Sequence, residues 1–228
     1  MRISERLTML SFPVGQGYLW RDGESLTLID TGTAGSGAQI AASIAELGLD
    51  PAAVERIVIT HGHNDHFGAA AEVRGWHGAP VLAHRADADI VRGSAMPGIP
   101  VLAGWEREIF EEVVPTVPAA PPCPVDVELL GGEVLDFGGG AHIVPVPGHT
   151  DGSVAVFLPA HGVLFTGDTI AYANDQVILG VFNTDPALAA ASMRVQADLG
   201  ADTVCFGHGA PVVTGGASAL RAAVSRLE

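Results

Sequence analysis

The chain contains no lysine; its 11 basic side chains are all arginine, set against 26 aspartates and glutamates. The formal charge of −15 repels phosphate backbones and anionic lipid, which counts against nucleic acid or a membrane surface as a partner. Only two cysteines occur in 228 residues, Cys123 and Cys205, too few for a disulfide framework. Aromatic residues are scarce at 6%, and no apolar run approaches the ~18 residues of a transmembrane helix. The opening MRISERLTML is interrupted by Glu5 and Arg6 and shows no leader pattern, so the expected setting is the cytoplasm. Against these absences stands a hydrophobic content of 48%, enough to fill a core and to exclude disorder.

The hydrophobic pattern predicts a mixed α/β chain with two sheets. Leu7 to Pro13 and Ser25 to Ile29 read as strands separated by the turn-like Arg21-Asp22-Gly23. Gly35 to Leu47 has helical spacing, and the apolar strand Arg56 to Thr60 runs directly into HGHNDHFG. Helices are predicted from Ala69 to about Trp76, from about Arg85, and around Trp105 to Val113. The run VVPTVPAAPPCP reads as extended, because proline fixes φ and lacks a donor. Further strands are predicted at Val125–Leu130, Glu133–Phe137, Ala141–Val146, Ser153–Leu158, Val163–Thr166 and Thr203–Phe206. Helices follow at Pro186–Leu199, capped by Asp185, and at Ala217–Leu227. No composition break divides the chain, so one domain over residues 1–228 is expected, with 93–124 an irregular insert serving as a lid or a homodimer contact.

Chemistry concentrates where these strands end. His61, His63, Asp65 and His66 fall within six residues; His149 lies in PVPGHTDGS, Asp168 in LFTGDT and His208 in CFGHGAP. Four strands therefore each end in metal-ligand types beside a glycine that lets the backbone bend. Imidazole and carboxylate suit zinc, iron or manganese. Five histidines and two aspartates exceed what one four-coordinate ion needs. Two divalent ions about 3.5 Å apart, sharing a carboxylate and a hydroxide, would use them all, which is a hydrolase design.

HGHNDH, with Asp30 in LIDTG upstream and His149, Asp168 and His208 downstream, resembles the metallo-β-lactamase-fold superfamily. The resemblance spans Asp30 to His208 and implies an α/β fold, a four-layer αββα sandwich of two mixed sheets. By position it implies that His61, His63 and His149 hold one ion, that Asp65, His66 and His208 hold the second, and that Asp168 bridges. Asp30 would orient the histidine loop. Asp65 or Asp168 would pass a proton to the leaving group. True metallo-β-lactamases generally lack the bridging aspartate, so the branch is more similar to glyoxalase II and the lactonases. About 20 residues follow His208, with no room for the helical extension that binds glutathione in glyoxalase II. Tyr172 is a candidate substrate contact, although its spacing is one residue longer than the lactonase pattern.

The reaction expected is hydrolysis of an ester, thioester or lactone of a small molecule by a metal-bridging hydroxide, with two ions, zinc foremost and iron or manganese as alternatives. One alternative is a mononuclear-iron enzyme resembling persulfide dioxygenases; another is a non-catalytic metal-binding protein. His77, His84, His142 and His161 read as ordinary surface or core histidines. Phe67, Trp105 and Phe182 are candidates for an apolar substrate wall, with core packing an equal reading. Cys205 reads as a small buried hydrophobe and Cys123, on an irregular segment, as exposed.

Overall fold

The computed structural model describes residues 1–227, and its contacts gather the chain into two compact units. Residues 1–96 and 117–129 form the first; residues 97–116 and the chain from Leu130 onward form the second.

Unit 1 is built on a six-stranded mixed sheet. Strands β1 (Leu7–Ser11), β2 (Gln16–Asp22) and β3 (Ser25–Ile29) form an antiparallel meander. Helix α1 (Gly37–Glu46) then leads to β4 (Val54–Val58), which lies parallel to β3. After α2 (Asn64–Phe67) and α3 (Ala70–His77) come β5 (Val81–His84) and α4 (Arg85–Val91). The sheet closes with β6 (Val127–Leu129), parallel to β5, in the order β1-β2-β3-β4-β5-β6. The parallel half is apolar on both faces, as crossover helices demand: Ile57, Val58, Ile59 and Val81 are all fully buried, with Ile40 and Ile44 of α1 in the same core.

Three local expectations are corrected here. The stretch before Arg21-Asp22-Gly23 is itself a strand, β2, and the turn closes a hairpin in which Asp22 pairs with Ser25. Its glycine-containing start obscures the alternation, yet Gly17 is required because a Cβ there would crowd the carbonyl oxygen of Asp30. Within VVPTVPAAPPCP, Val114–Thr116 is a single 3₁₀ turn rather than extended chain. Cys123 is buried, not exposed: its N–H donates to the Val91 carbonyl at 2.9 Å, and burial pushes its thiol up to about 11 despite the nearby Arg74 charge.

Unit 2 begins with α5 (Glu106–Val113) and carries a second mixed sheet. Its strands are β7 (Val134–Leu135), β8 (Ala141–Pro145), β9 (Val154–Leu158) and β10 (Val163–Phe165). A separate hairpin of β11 (Ile170–Ala173) and β12 (Gln176–Leu179) follows. Then come α6 (Pro186–Asp198), β13 (Thr203–Cys205) and α7 (Gly216–Val224). The sheet order is β13-β10-β9-β8-β7, parallel only between β10 and β13. The α6 cap forms as expected, with the Asp185 side chain accepting the Leu188 N–H at 2.9 Å and Pro186 in the first turn. Leu164, Met193, Val204, Phe206 and Leu220 fill the core of this unit, and Cys205 is fully buried, as expected. The β11–β12 hairpin was not foreseen; its turn places Asn174 and Asp175 at φ of 50° and 60°, which these two residue types tolerate better than most. The fold class is α/β with mixed sheets and flanking helices, as the pattern predicted.

Candidate metal centre

In unit 1 the ligand types leave the end of β4 on one short loop. Asp30, at the end of β3, organises it. The Asp30 Oδ1 accepts the Thr60 N–H at 2.8 Å, and Oδ2 accepts both the Thr60 hydroxyl at 2.7 Å and His66 Nδ1 at 2.9 Å. Because the Thr60 hydroxyl donates to Asp30, its oxygen is left to accept from His61 Nδ1, 3.0 Å away. This network assigns the proton of both His61 and His66 to Nδ1 and turns the Nε2 lone pairs outward. Asp30 is 3% exposed and adopts φ of 56°, a left-handed conformation that costs a non-glycine residue about 1–3 kcal/mol. Three hydrogen bonds to its carboxylate offset that strain.

The outward nitrogens converge. His61 Nε2 lies 3.1 Å from His63 Nδ1, and His66 Nε2 lies 3.6 Å from Asp65 Oδ2. Two ligands of one tetrahedral zinc, each at about 2.0–2.1 Å, sit roughly 3.3 Å from one another. The donor set and spacing in unit 1 therefore fit a divalent ion of the borderline class.

A residue that sequence reading missed supports this loop. Asp87 on α4, 1% exposed, accepts the N–H of Gly62 at 2.7 Å, between His61 and His63. Thr31 grips the other side: its N–H and hydroxyl both donate to the His66 carbonyl, at 2.6 and 3.0 Å.

In unit 2 the three ligand types come from three separate loops. His149 follows β8, Asp168 follows β10 and His208 follows β13. Asp168 Oδ2 is shared between them, 3.1 Å from His208 Nε2 and 3.8 Å from His149 Nε2. Backbone contacts fix these loops: the Thr184 N–H donates to the His149 carbonyl at 3.3 Å, and the Tyr172 N–H to the His208 carbonyl at 3.0 Å. The Tyr172 ring stacks on Phe206 with centroids 6.2 Å apart.

The remaining candidates fall apart by type. Phe67 is buried in the unit 1 core, Trp105 is largely exposed, and Phe182 packs edge-on against Phe110 with centroids 5.2 Å apart. His84 caps α4 by accepting the Ala86 N–H, His77 lies on the surface near Asp50, and His142 meets the ring of Phe157.

The model of the metallo-beta-lactamase superfamily matches residues 13–208. A probable metallo-hydrolase, YqgX of Bacillus subtilis (strain 168), is 30% identical over 69% of this chain and 69% of its own length. A hydroxyacylglutathione hydrolase of Dechloromonas aromatica (strain RCB) is 28% identical over 83% of this chain, which spans 56% of that enzyme. Among solved structures, TTHA1623 in a di-iron-bound form is 26% identical with a TM-score of 0.68, covering 93% of this chain and 96% of its own. With the family match running from before the Asp30 strand to His208, the chain belongs to the metallo-β-lactamase superfamily.

Proposed function

We propose that this protein is a two-metal hydrolase of small-molecule esters, thioesters or lactones. In this reading His61, His63 and His149 hold one divalent ion, and Asp65, His66 and His208 hold the second with Asp168 shared. The observation that carries it is Asp168, whose Oδ2 stands within 4 Å of both His149 and His208. Five histidines and two aspartates exceed the two histidines and one carboxylate that a single-iron dioxygenase needs, which favours two ions over that second reading of the sequence. Such ions, when bound, supply acidified water near neutral pH and Lewis-acid stabilisation of a developing oxyanion.

The chain's own residues do the rest. Asp30 keeps His61 and His66 in the tautomer that presents Nε2, so neither ring must shed a proton to act as a ligand. Asp65, partly open to solvent, is the proton carrier to the leaving group, with Asp168 the alternative. Tyr172 is the proposed hydrogen-bond donor to substrate, on a backbone already tied to His208. The two units act in this proposal as one catalytic domain in the cytoplasm, with residues 93–124 as a lid or homodimer contact. No helix among the described residues is long and apolar enough to cross a membrane.

Asp65→Ala and Asp168→Ala should each lower kcat/KM on a panel of p-nitrophenyl esters, thioesters and lactones by roughly a thousandfold or more. Circular dichroism should be unchanged. Retention of more than a tenth of wild-type activity by either variant would remove the assignment.

A further inference from the structure

The Gly180–Thr184 loop is the part of unit 2 that the ligand assignments leave without a task, yet its backbone meets two of the ligand loops. At one end the Gly180 N–H donates to the Thr169 carbonyl at 2.9 Å, and a Cβ on Gly180 would overlap the carbonyl oxygen of Asp168. At the other end the Thr184 N–H donates to the His149 carbonyl, and its hydroxyl to the Gly148 carbonyl at 3.1 Å. The Asn183 side chain closes the loop by donating to the Gly180 carbonyl at 2.6 Å. Between these anchors Phe182 is held at φ of 60°, a conformation that a bulky side chain avoids unless its surroundings impose it.

Those surroundings come from α5. Glu106 lies in its first turn and is 7% exposed, although Glu108, Glu111 and Glu112 of the same helix face solvent. Its Oε1 accepts the Phe182 N–H at 3.4 Å and its Oε2 accepts the Ala103 N–H at 2.7 Å. One turn further along, Phe110 receives the Phe182 ring edge-on. The Val101 N–H adds a bond to the Asn183 carbonyl at 2.8 Å. A buried carboxyl group aimed at backbone N–H donors on two segments is a pin, and the segment it pins contacts the backbone at His149 and Asp168.

We infer that Glu106 is a positioning residue: by holding Phe182 it keeps the Gly180–Thr184 loop rigid and so fixes the separation of His149 and Asp168. The inference rests on the metal-hydrolase reading, because its consequence is carried to metal ligands. Glutamine at this position can accept from only one of the two N–H donors, so it should recover part of the function, and alanine none.

The experiment uses the full chain with Glu106→Ala and Glu106→Gln, read by amide hydrogen exchange at residues 180–184 and by Co²⁺ titration followed by visible absorption. In Glu106→Ala the Phe182 and Thr184 amides should exchange at least tenfold faster. Co²⁺ should bind roughly tenfold or more weakly, with an altered ligand-field spectrum, and Glu106→Gln should fall between alanine and wild type on each readout. Should the alanine variant fail to fold, Glu106→Gln alone must still show faster exchange and an altered spectrum. Faster exchange with unchanged Co²⁺ affinity and spectrum in these variants would overturn the assignment, as would unchanged exchange. A wild-type chain that takes up no Co²⁺ would instead sink the metal reading, and this inference with it.

Discussion

The two units hold their ligand types by different means. In unit 1 four candidate ligands sit on one short loop, and buried carboxylates fix it: Asp30 through Thr60 and His66, Asp87 through Gly62. In unit 2 three ligands come from three loops, and backbone contacts with tight glycine packing fix them, at Gly180 against Asp168 and Gly209 against Tyr172. The first arrangement is electrostatic and local. The second is steric and depends on segments distant in sequence, so the two should fail differently when disturbed.

The largest effect is expected at Asp30. Asp30→Ala strips acceptors from the Thr60 N–H, the Thr60 hydroxyl and His66 Nδ1, each costing about 1–3 kcal/mol when left buried. Stability should fall by roughly 3 kcal/mol or more, and metal affinity by about 10–100-fold, as for other residues that orient ligands. Chemical denaturation and metal competition with a chromophoric chelator read both. Asp30→Asn keeps one accepting oxygen and loses the other together with the charge, so it should recover only part of this loss. Next is Gly180→Ala, whose Cβ has no space beside the Asp168 carbonyl. The expected loss is about 1–3 kcal/mol of stability from overpacking, with metal affinity lowered too. A Gly180→Ala protein with wild-type metal affinity would break the contrast between the units.

Asp87→Ala comes third. The Gly62 N–H loses its acceptor, which costs about 1–3 kcal/mol, with Asp87→Asn recovering most of it. The smallest effect is at Arg74, which pairs with Asp126 on the surface of unit 1 at 2.8 Å. The Arg74 hydrogen bond holds the Asp126 carboxyl below its ordinary value. A carboxyl depressed in the folded state stabilises the protein above its unfolded value of about 3.9 and loses that contribution as the pH falls through the folded value. Arg74→Ala should therefore lower the urea unfolding midpoint only slightly at pH 7 and leave it unchanged in strong acid.

What could be read from the sequence follows the same division. HGHNDH announced itself because its candidate ligands are contiguous and follow an apolar strand, whereas Asp30 entered only through the resemblance to the metallo-β-lactamase-fold superfamily. Asp168 and His208 were legible because each follows a short apolar strand beside a glycine. Asp87 was not, since its task depends on α4 returning a residue 25 positions downstream to the Gly62 amide. Glu106 was equally silent: in EREIFEEV nothing separates the one buried glutamate from its exposed neighbours. The β2 strand and the β11–β12 hairpin escaped because their turn and glycine signals resemble plain loop until pairing partners are known. Cys123 was misplaced for a related reason, as an irregular proline-rich segment can be buried by what packs over it.

The central claim is that these histidines and aspartates hold two divalent ions. Elemental analysis of the full chain purified without added metal tests it most directly. About two ions of zinc, iron or manganese per chain are predicted, falling to one or fewer in Asp168→Ala. A wild-type chain carrying no metal, or one iron whose occupancy is indifferent to Asp168→Ala, would contradict it.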